Sequence, residues 1–215
     1  MVAKIFSELN SQELSVFKKL NTPQKIQDYL DTLPINFSET SFSPRLVLRH
    51  KKAHCLEGAI FAAAVLYYYQ EEPLLMDLKT NGDDDDHVVT LFRRDGLWGA
   101  ISKTNHATLR YREPIYKTTR ELAISYFHEY FIKNGQKVLR SYSAPYSLKK
   151  FDNKKWLTDQ KDLLYIADSL DESPHQDLVA KSAIKKLRLA DKMERRAGDL
   201  LEWSRSGKKV KPSVH

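Results

Sequence analysis

The sequence predicts an α+β fold in which a long buried helix packs on an antiparallel sheet. Three observations lead there. Residues 53–70 (AHCLEGAIFAAAVLYYYQ) are apolar on almost every side of a helix, the pattern of a helix enclosed by other elements. Directly afterwards the apolar period drops to two over residues 73–102, interrupted by the turn dipeptides Asn81-Gly82 and Asp95-Gly96. A helical period returns over 118–133 and closes at Asn134-Gly135, a pair suited to left-handed C-terminal positions.

Each element has its own signals. Residues 1–20 carry a short amphipathic pattern through Ile5, Leu9, Leu14, Phe17 and Leu20. A second helix starts at Pro23, with Asn21 or Thr22 as its cap, and presents Ile26, Tyr29, Leu30 and Leu33 before Pro34 stops it. Residues 35–49 read as a loop with a short apolar run at Leu46–Leu48. Strands are expected over 73–79, 87–93, 97–102 and 137–142, and a helical stretch over 159–170. Past Pro174 a final helix is expected, with Leu178, Leu187, Ala190, Met193, Ala197, Leu200 and Leu201 on one side. The end of the chain, from Ser206, reads as disordered. The organisation is thus an N-terminal helical segment (1–20), a central domain (21–172) and a basic C-terminal helix with a tail (173–215).

Composition narrows the function classes. The chain of 215 residues has one cysteine, so no internal disulfide and no multi-thiolate zinc site is available to it. No apolar run approaches a membrane span, and the first residues lack the apolar core of a secretory signal; a cytoplasmic protein of bacterial style, without membrane association, is expected. The net charge is +7, but residues 175–215 hold eleven Lys/Arg against five Asp/Glu, leaving the rest near neutral. Basicity therefore belongs to the C-terminal segment, where nucleic acid is a conceivable partner.

The residues with chemical content are Cys55 and His87. Cys55 stands in the first turn of the buried helix, where the dipole and free N–H groups lower a thiol pKa and offer donors to an oxyanion. His87 opens a later strand and can act as its base. The bland alternative is a cysteine that merely fills the core. Order favours chemistry: cysteine at a helix start, buried helix, strand, turn, histidine at a strand start, then a hairpin containing Trp98.

On AHCLEGAIFAAAVLYY, PLLMDLK and DHVVTLFRRDGLWGAIS, residues 22–130 resemble the transglutaminase-like, papain-like cysteine-enzyme superfamily. The resemblance implies Cys55 as nucleophile, His87 as base, a peptide or protein amide as substrate, and no cofactor. It implies an Asp or Asn on the next strand as the third member, and here the chain departs. The aligned position holds Ser102. A two-residue turn at Asp95-Gly96 puts Ser102 diagonal to His87 on one sheet face; a three-residue loop brings Lys103 and Asn105 there instead. Ser102 and Asn105 are both candidates to orient the imidazole. A chain lacking the carboxylate is either a variant enzyme or a non-catalytic module that binds protein or nucleic acid through its basic tail.

Glu57 is the one carboxylate in the apolar helix. It needs a partner, with Arg49, Arg110 and Arg112 as candidates, or else contacts substrate. Trp98 and Arg112 are further candidate substrate contacts. The run Asp83–Asp86 reads as a solvated turn, since it lacks the ligand spacing of a calcium loop. His54, Cys55, Glu57, His87 and His106 lack the companion Cys-x-x-Cys of a zinc deaminase, so no metal is expected.

Overall fold

The computed structural model describes residues 2–210. Two short helices, α1 (Val2–Phe6) and α2 (Ser11–Lys19), open the chain. Asn10 caps α2 reciprocally with Glu13: its Oδ1 accepts from the Glu13 N–H at 2.9 Å, and Glu13 accepts from the Asn10 N–H at 2.8 Å. Helix α3 (Pro23–Thr32) starts on Thr22 as expected, with Ile26 and Leu30 fully buried. The stretch read as a loop holds a helix instead, α4 (Pro44–His50). Ser43 accepts from Leu46 N–H as its cap, Pro44 occupies the first turn, and Leu46 and Val47 go into the core. At seven residues it is too short for a periodic apolar stripe to declare it.

Helix α5 (Cys55–Tyr68) is the centre of the molecule, buried from Leu56 through Tyr67. Strands β1 (Leu74–Thr80), β2 (His87–Arg94) and β3 (Leu97–Ser102) follow, then β4 (Arg112–Tyr116). The β2–β3 connection is the two-residue turn: Arg94 pairs with Leu97, and Asp95 and Gly96 both take positive φ (51° and 81°). Strand β4 was not foreseen, because Pro114 interrupts it and alternate residues face solvent; both are tolerable only at an edge. Helix α6 (Thr119–Phe127) is capped by Thr118 and ends six residues before the expected stop. There the chain turns in: Tyr130 is buried, its hydroxyl donates to the Asp85 carbonyl, and Phe131 pairs with Lys137.

Strands β5 (Leu139–Ser143), β6 (Tyr146–Ser147) and β7 (His175–Asp177) complete an antiparallel sheet of order β4-β3-β2-β1-β5-β7, with β6 also paired to β1. A 3₁₀ helix (Leu148–Lys154) and α7 (Leu164–Asp171) lie between β6 and β7. The sheet is covered on both faces. Leu75, Val88, Phe92 and Ile101 pack with α5 and the N-terminal helices. Met76, Leu78, Val89, Leu91 and Ala100 pack with α6, Tyr130, Val138 and Leu139. An α+β architecture is therefore correct.

The single C-terminal helix is not. After β7 the chain makes α8 (Lys181–Ile184) and α9 (Lys192–Gly198), separated by residues 185–191, which form no regular element. Leu178 leaves the expected stripe to pack under α6, whereas Met193, Leu200 and Leu201 stay exposed. Residues 206–210, read as disordered, form a turn in which Val210 N–H bonds the Glu202 carbonyl at 2.7 Å. The expected tail from residue 211 onward lies outside the described residues. Among the described residues no helix is long and apolar enough to cross a membrane.

Gly58 marks a close approach between helix and sheet: a Cβ built there would lie 2.5 Å from Lys103 Cβ. Lys103 cannot swing away, because its buried ammonium donates to the Leu30 and Leu33 carbonyls at the end of α3, at 2.9 and 2.5 Å. Gly58→Ala should therefore destabilise the protein by about 1–3 kcal/mol through overpacking, despite a helix-propensity gain of about 1 kcal/mol. The shift in urea midpoint measures it, and an unchanged or raised midpoint contradicts it.

Candidate active site

Three elements end at one place. Helix α5 begins with Cys55, β2 begins with His87, and β3 ends with Ser102. In the observed register Ser102 pairs with Val89, two residues on from His87, so both side chains stand on one face. Ser102 Oγ lies 2.8 Å from His87 Nε2 and donates its only proton to the Leu109 carbonyl at 2.5 Å. The hydroxyl can then only accept from the imidazole. That fixes the proton of neutral His87 on Nε2 and leaves Nδ1 as the basic nitrogen.

Asn105, the other candidate orienter, is engaged elsewhere. Its Oδ1 accepts from the Trp203 N–H at 2.8 Å and its Nδ2 donates to the Trp203 carbonyl at 2.9 Å. It holds the C-terminal segment, not the imidazole.

Glu57 is fully buried and meets none of the three arginines proposed for it. Its carboxylate accepts from Asn36 Nδ2 (3.0 Å), Thr40 Oγ1 (2.6 Å), Phe42 N–H (3.0 Å) and the N–H of the capping residue His54 (3.0 Å). Dipolar donors satisfy a buried carboxylate without a guanidinium when enough of them converge. Arg49 bonds Gln160, Arg110 bonds Glu202, and Arg112 bonds Glu129 at 2.7 Å while stacking on Tyr126. Enclosed this way, Glu57 does not contact the cleft.

His54 was weighed in the sequence only as part of a discarded metal cluster. Its Nε2 lies 2.6 Å from the Thr40 carbonyl and 3.4 Å from Glu57 Oε1. A carbonyl only accepts, so Nε2 carries a proton here too. The signal was present in the string His54-Cys55-Leu56-Glu57, which has the spacing of a capping box.

Cys55 shares one cleft with His54 and His87, and its thiol lies 4.0 Å from the Asp86 carbonyl. Burial opposes ionisation of the thiol, but the two imidazoles outweigh it and lower its pKa to about 5. Burial likewise opposes charge on His54; the Cys55 thiolate, the Glu57 carboxylate and the Thr40 carbonyl outweigh it and raise the imidazole to about 9.

Above the half-buried sulfur lies a cleft of about 420 Å³. Its walls include Asp84–Asp86, Tyr130 and Phe131, and at the rim Arg195, Gly198 and Asp199 of the C-terminal segment. That segment is held beside residues 105–107: His106 Nδ1 meets the Gly198 carbonyl at 2.8 Å, and Ala107 N–H bonds the Leu200 carbonyl at 3.1 Å.

Neither remaining candidate reaches the cleft. Trp98 stands at the start of β3, four residues and so ~13 Å from Ser102, stacked under Arg93. Arg112 touches the site only through Glu129, which lines the cleft and accepts the Leu109 N–H at 2.8 Å. The aspartate run is a self-bonded turn, with Thr80 N–H on Asp86 Oδ1 at 2.7 Å and Thr80 Oγ1 donating to the Asp84 carbonyl. Asp77, Asp86 and Asp171 bring carboxylate oxygens within 4.8 Å of one another, but His175 already sits on Asp77 and Lys79 on Asp171.

No protein-family model matches the chain, and no curated protein matches it. The site's own geometry carries the functional argument.

The lowered thiol pKa has a direct consequence. The thiolate is the reactive form and persists at every pH above its pKa. Alkylation of Cys55 by iodoacetamide should therefore reach half its maximal rate near pH 5, against about 8.5 for an unperturbed thiol. A rate that rises only above pH 8 would show an ordinary cysteine.

Proposed function

We propose that the protein is a cysteine-dependent acyl-transfer enzyme of transglutaminase-like, papain-like type, acting on amide or peptide bonds. One observation carries the reading: Cys55 starts a buried helix and shares one cleft with His87, whose Nε2 proton is held by Ser102. The succession of nucleophile helix, histidine strand and orienting strand agrees with that superfamily. The open cleft over the sulfur supplies room for an acyl donor.

The chemistry runs as follows. The thiolate attacks the amide carbonyl carbon, and first-turn N–H groups of α5, which have no partner within the helix, receive the oxyanion. The C–N bond breaks as the amine departs with the proton that the thiol had given to an imidazole. His87 Nδ1 then takes a proton from water or an amine acceptor as that acceptor adds to the thioester. The C–S bond breaks, and the His87 proton returns to the sulfur. Ser102 keeps Nδ1 aimed at the reacting atoms but supplies no counter-charge, unlike the carboxylate of a complete triad.

The test uses p-nitrophenyl acetate and a glutamine-containing peptide as acyl donors. A thioester on Cys55 should be trapped by acid quench and found by mass spectrometry. Acyl turnover in His87→Ala should fall by about 10²–10⁴-fold. Absence of any acyl group on Cys55, or equal turnover in parent and variant, removes the proposal.

A further inference from the structure

A thiol that shares its cleft with two imidazoles poses a question that a single Cys–His pair does not: which ring holds the sulfur's proton. We infer that His54, backed by the buried Glu57 carboxylate, is the counter-ion of the Cys55 thiolate, and that His87 is the neutral base of the resting site. This rests on the acyl-transfer reading above and assigns a catalytic residue outside the expected Cys–His–third-residue pattern.

The surroundings of the two rings decide it. His87 Nε2 faces only the Ser102 hydroxyl, a neutral group whose proton is committed to the Leu109 carbonyl. His54 Nε2 faces a carbonyl at 2.6 Å and a carboxylate oxygen at 3.4 Å. Glu57 has no exposed surface, so its charge acts on that ring without solvent between them. Protonating His54 therefore neutralises a buried charge, whereas protonating His87 places a cation beside a hydroxyl. The other ionisable groups near the sulfur do not reverse this. Tyr130 donates its proton to the Asp85 carbonyl, Asp86 points a carboxylate oxygen at the Thr80 N–H, and Asp84 and Asp85 are exposed. The direction in which His54 and Cys55 titrate agrees, each favouring its charged form in the presence of the other.

The proton moves from Cys55 Sγ to the free nitrogen of His54, Nδ1, while Nε2 keeps its own. No other bond changes. The amine leaving in acylation takes this proton, and neutral His87 is already in the form needed to accept one from the acceptor. The carboxylate that the third position lacks is thus present on the other side of the nucleophile. Glu57 is a positioning residue here, acting through His54.

The test is the pH profile of Cys55 alkylation in His54→Gln and His87→Gln, each checked for parent-like circular dichroism. His54→Gln should move the midpoint up by about one to three pH units, and His87→Gln by less than one. In the parent, imidazole ¹⁵N shifts at pH 7 should show His54 protonated and His87 neutral. Carbamidomethylation of Cys55 should lower the His54 pKa. The NMR measurement needs no variant, so it stands even if His54→Gln fails to fold. A larger or equal shift from His87→Gln, or a protonated His87 in the parent, overturns the assignment and leaves the acyl-transfer reading intact. A parent midpoint above pH 8 removes both.

Discussion

The carboxylate of Glu57, enclosed at the start of α5, is the interaction on which the site depends. A charge with no solvent contact is tolerable only if donors converge on it, and here they come from separate stretches: Asn36, Thr40 and Phe42 of one loop and the N–H of His54. Satisfying that charge ties the loop after α3 to the first turn of α5. The same act sets the backbone of His54 as a cap and brings the Thr40 carbonyl to its ring. Everything at the nucleophile end of the helix follows from one carboxylate.

A second constraint joins this helix to the sheet. Gly58, one turn in, leaves room for Lys103, whose ammonium closes the end of α3 through two carbonyls. Lys103 immediately follows Ser102, so the contact that seats the helix also fixes the end of β3. Gln27 of α3 adds to it by bonding both the N–H and the carbonyl of Ser102, at 2.9 and 2.8 Å. Ser102 is thus held on its backbone by α3 and on its side chain by Leu109 and His87. A serine so restrained orients the ring but carries no charge. The proposed division between two histidines is a response to that missing charge.

Much of this was legible in the residues. The α5 run, the two-residue turn at Asp95-Gly96 and the Thr22-Pro23 helix start each depend on local rules, and local rules survive folding. Hairpin parity reduced the orienter to two alternatives, and the observed two-residue turn put Ser102 beside His87. Apart from α4, too short to declare itself, the failures share one cause, which is that a distant partner decided the outcome. Pro114 lies in a strand because β4 is an edge. Helix α6 stops early because Tyr130 is drawn into the core, and the C-terminal stripe breaks because Leu178 finds a separate niche under α6. Asn105 was a sound orienter by type, yet the Trp203 backbone, 98 residues away, takes both ends of its amide.

By itself, then, the sequence determined the helix that carries Cys55 and the strand that carries His87, because periodicity, caps and turn dipeptides act over a few residues. Tertiary structure alone decided the partner of Glu57, the enlistment of His54 and the placement of the basic C-terminal segment at the cleft rim. The physical reason is that a buried charge or amide must find its donors and acceptors wherever the fold brings them, and sequence spacing carries no record of that.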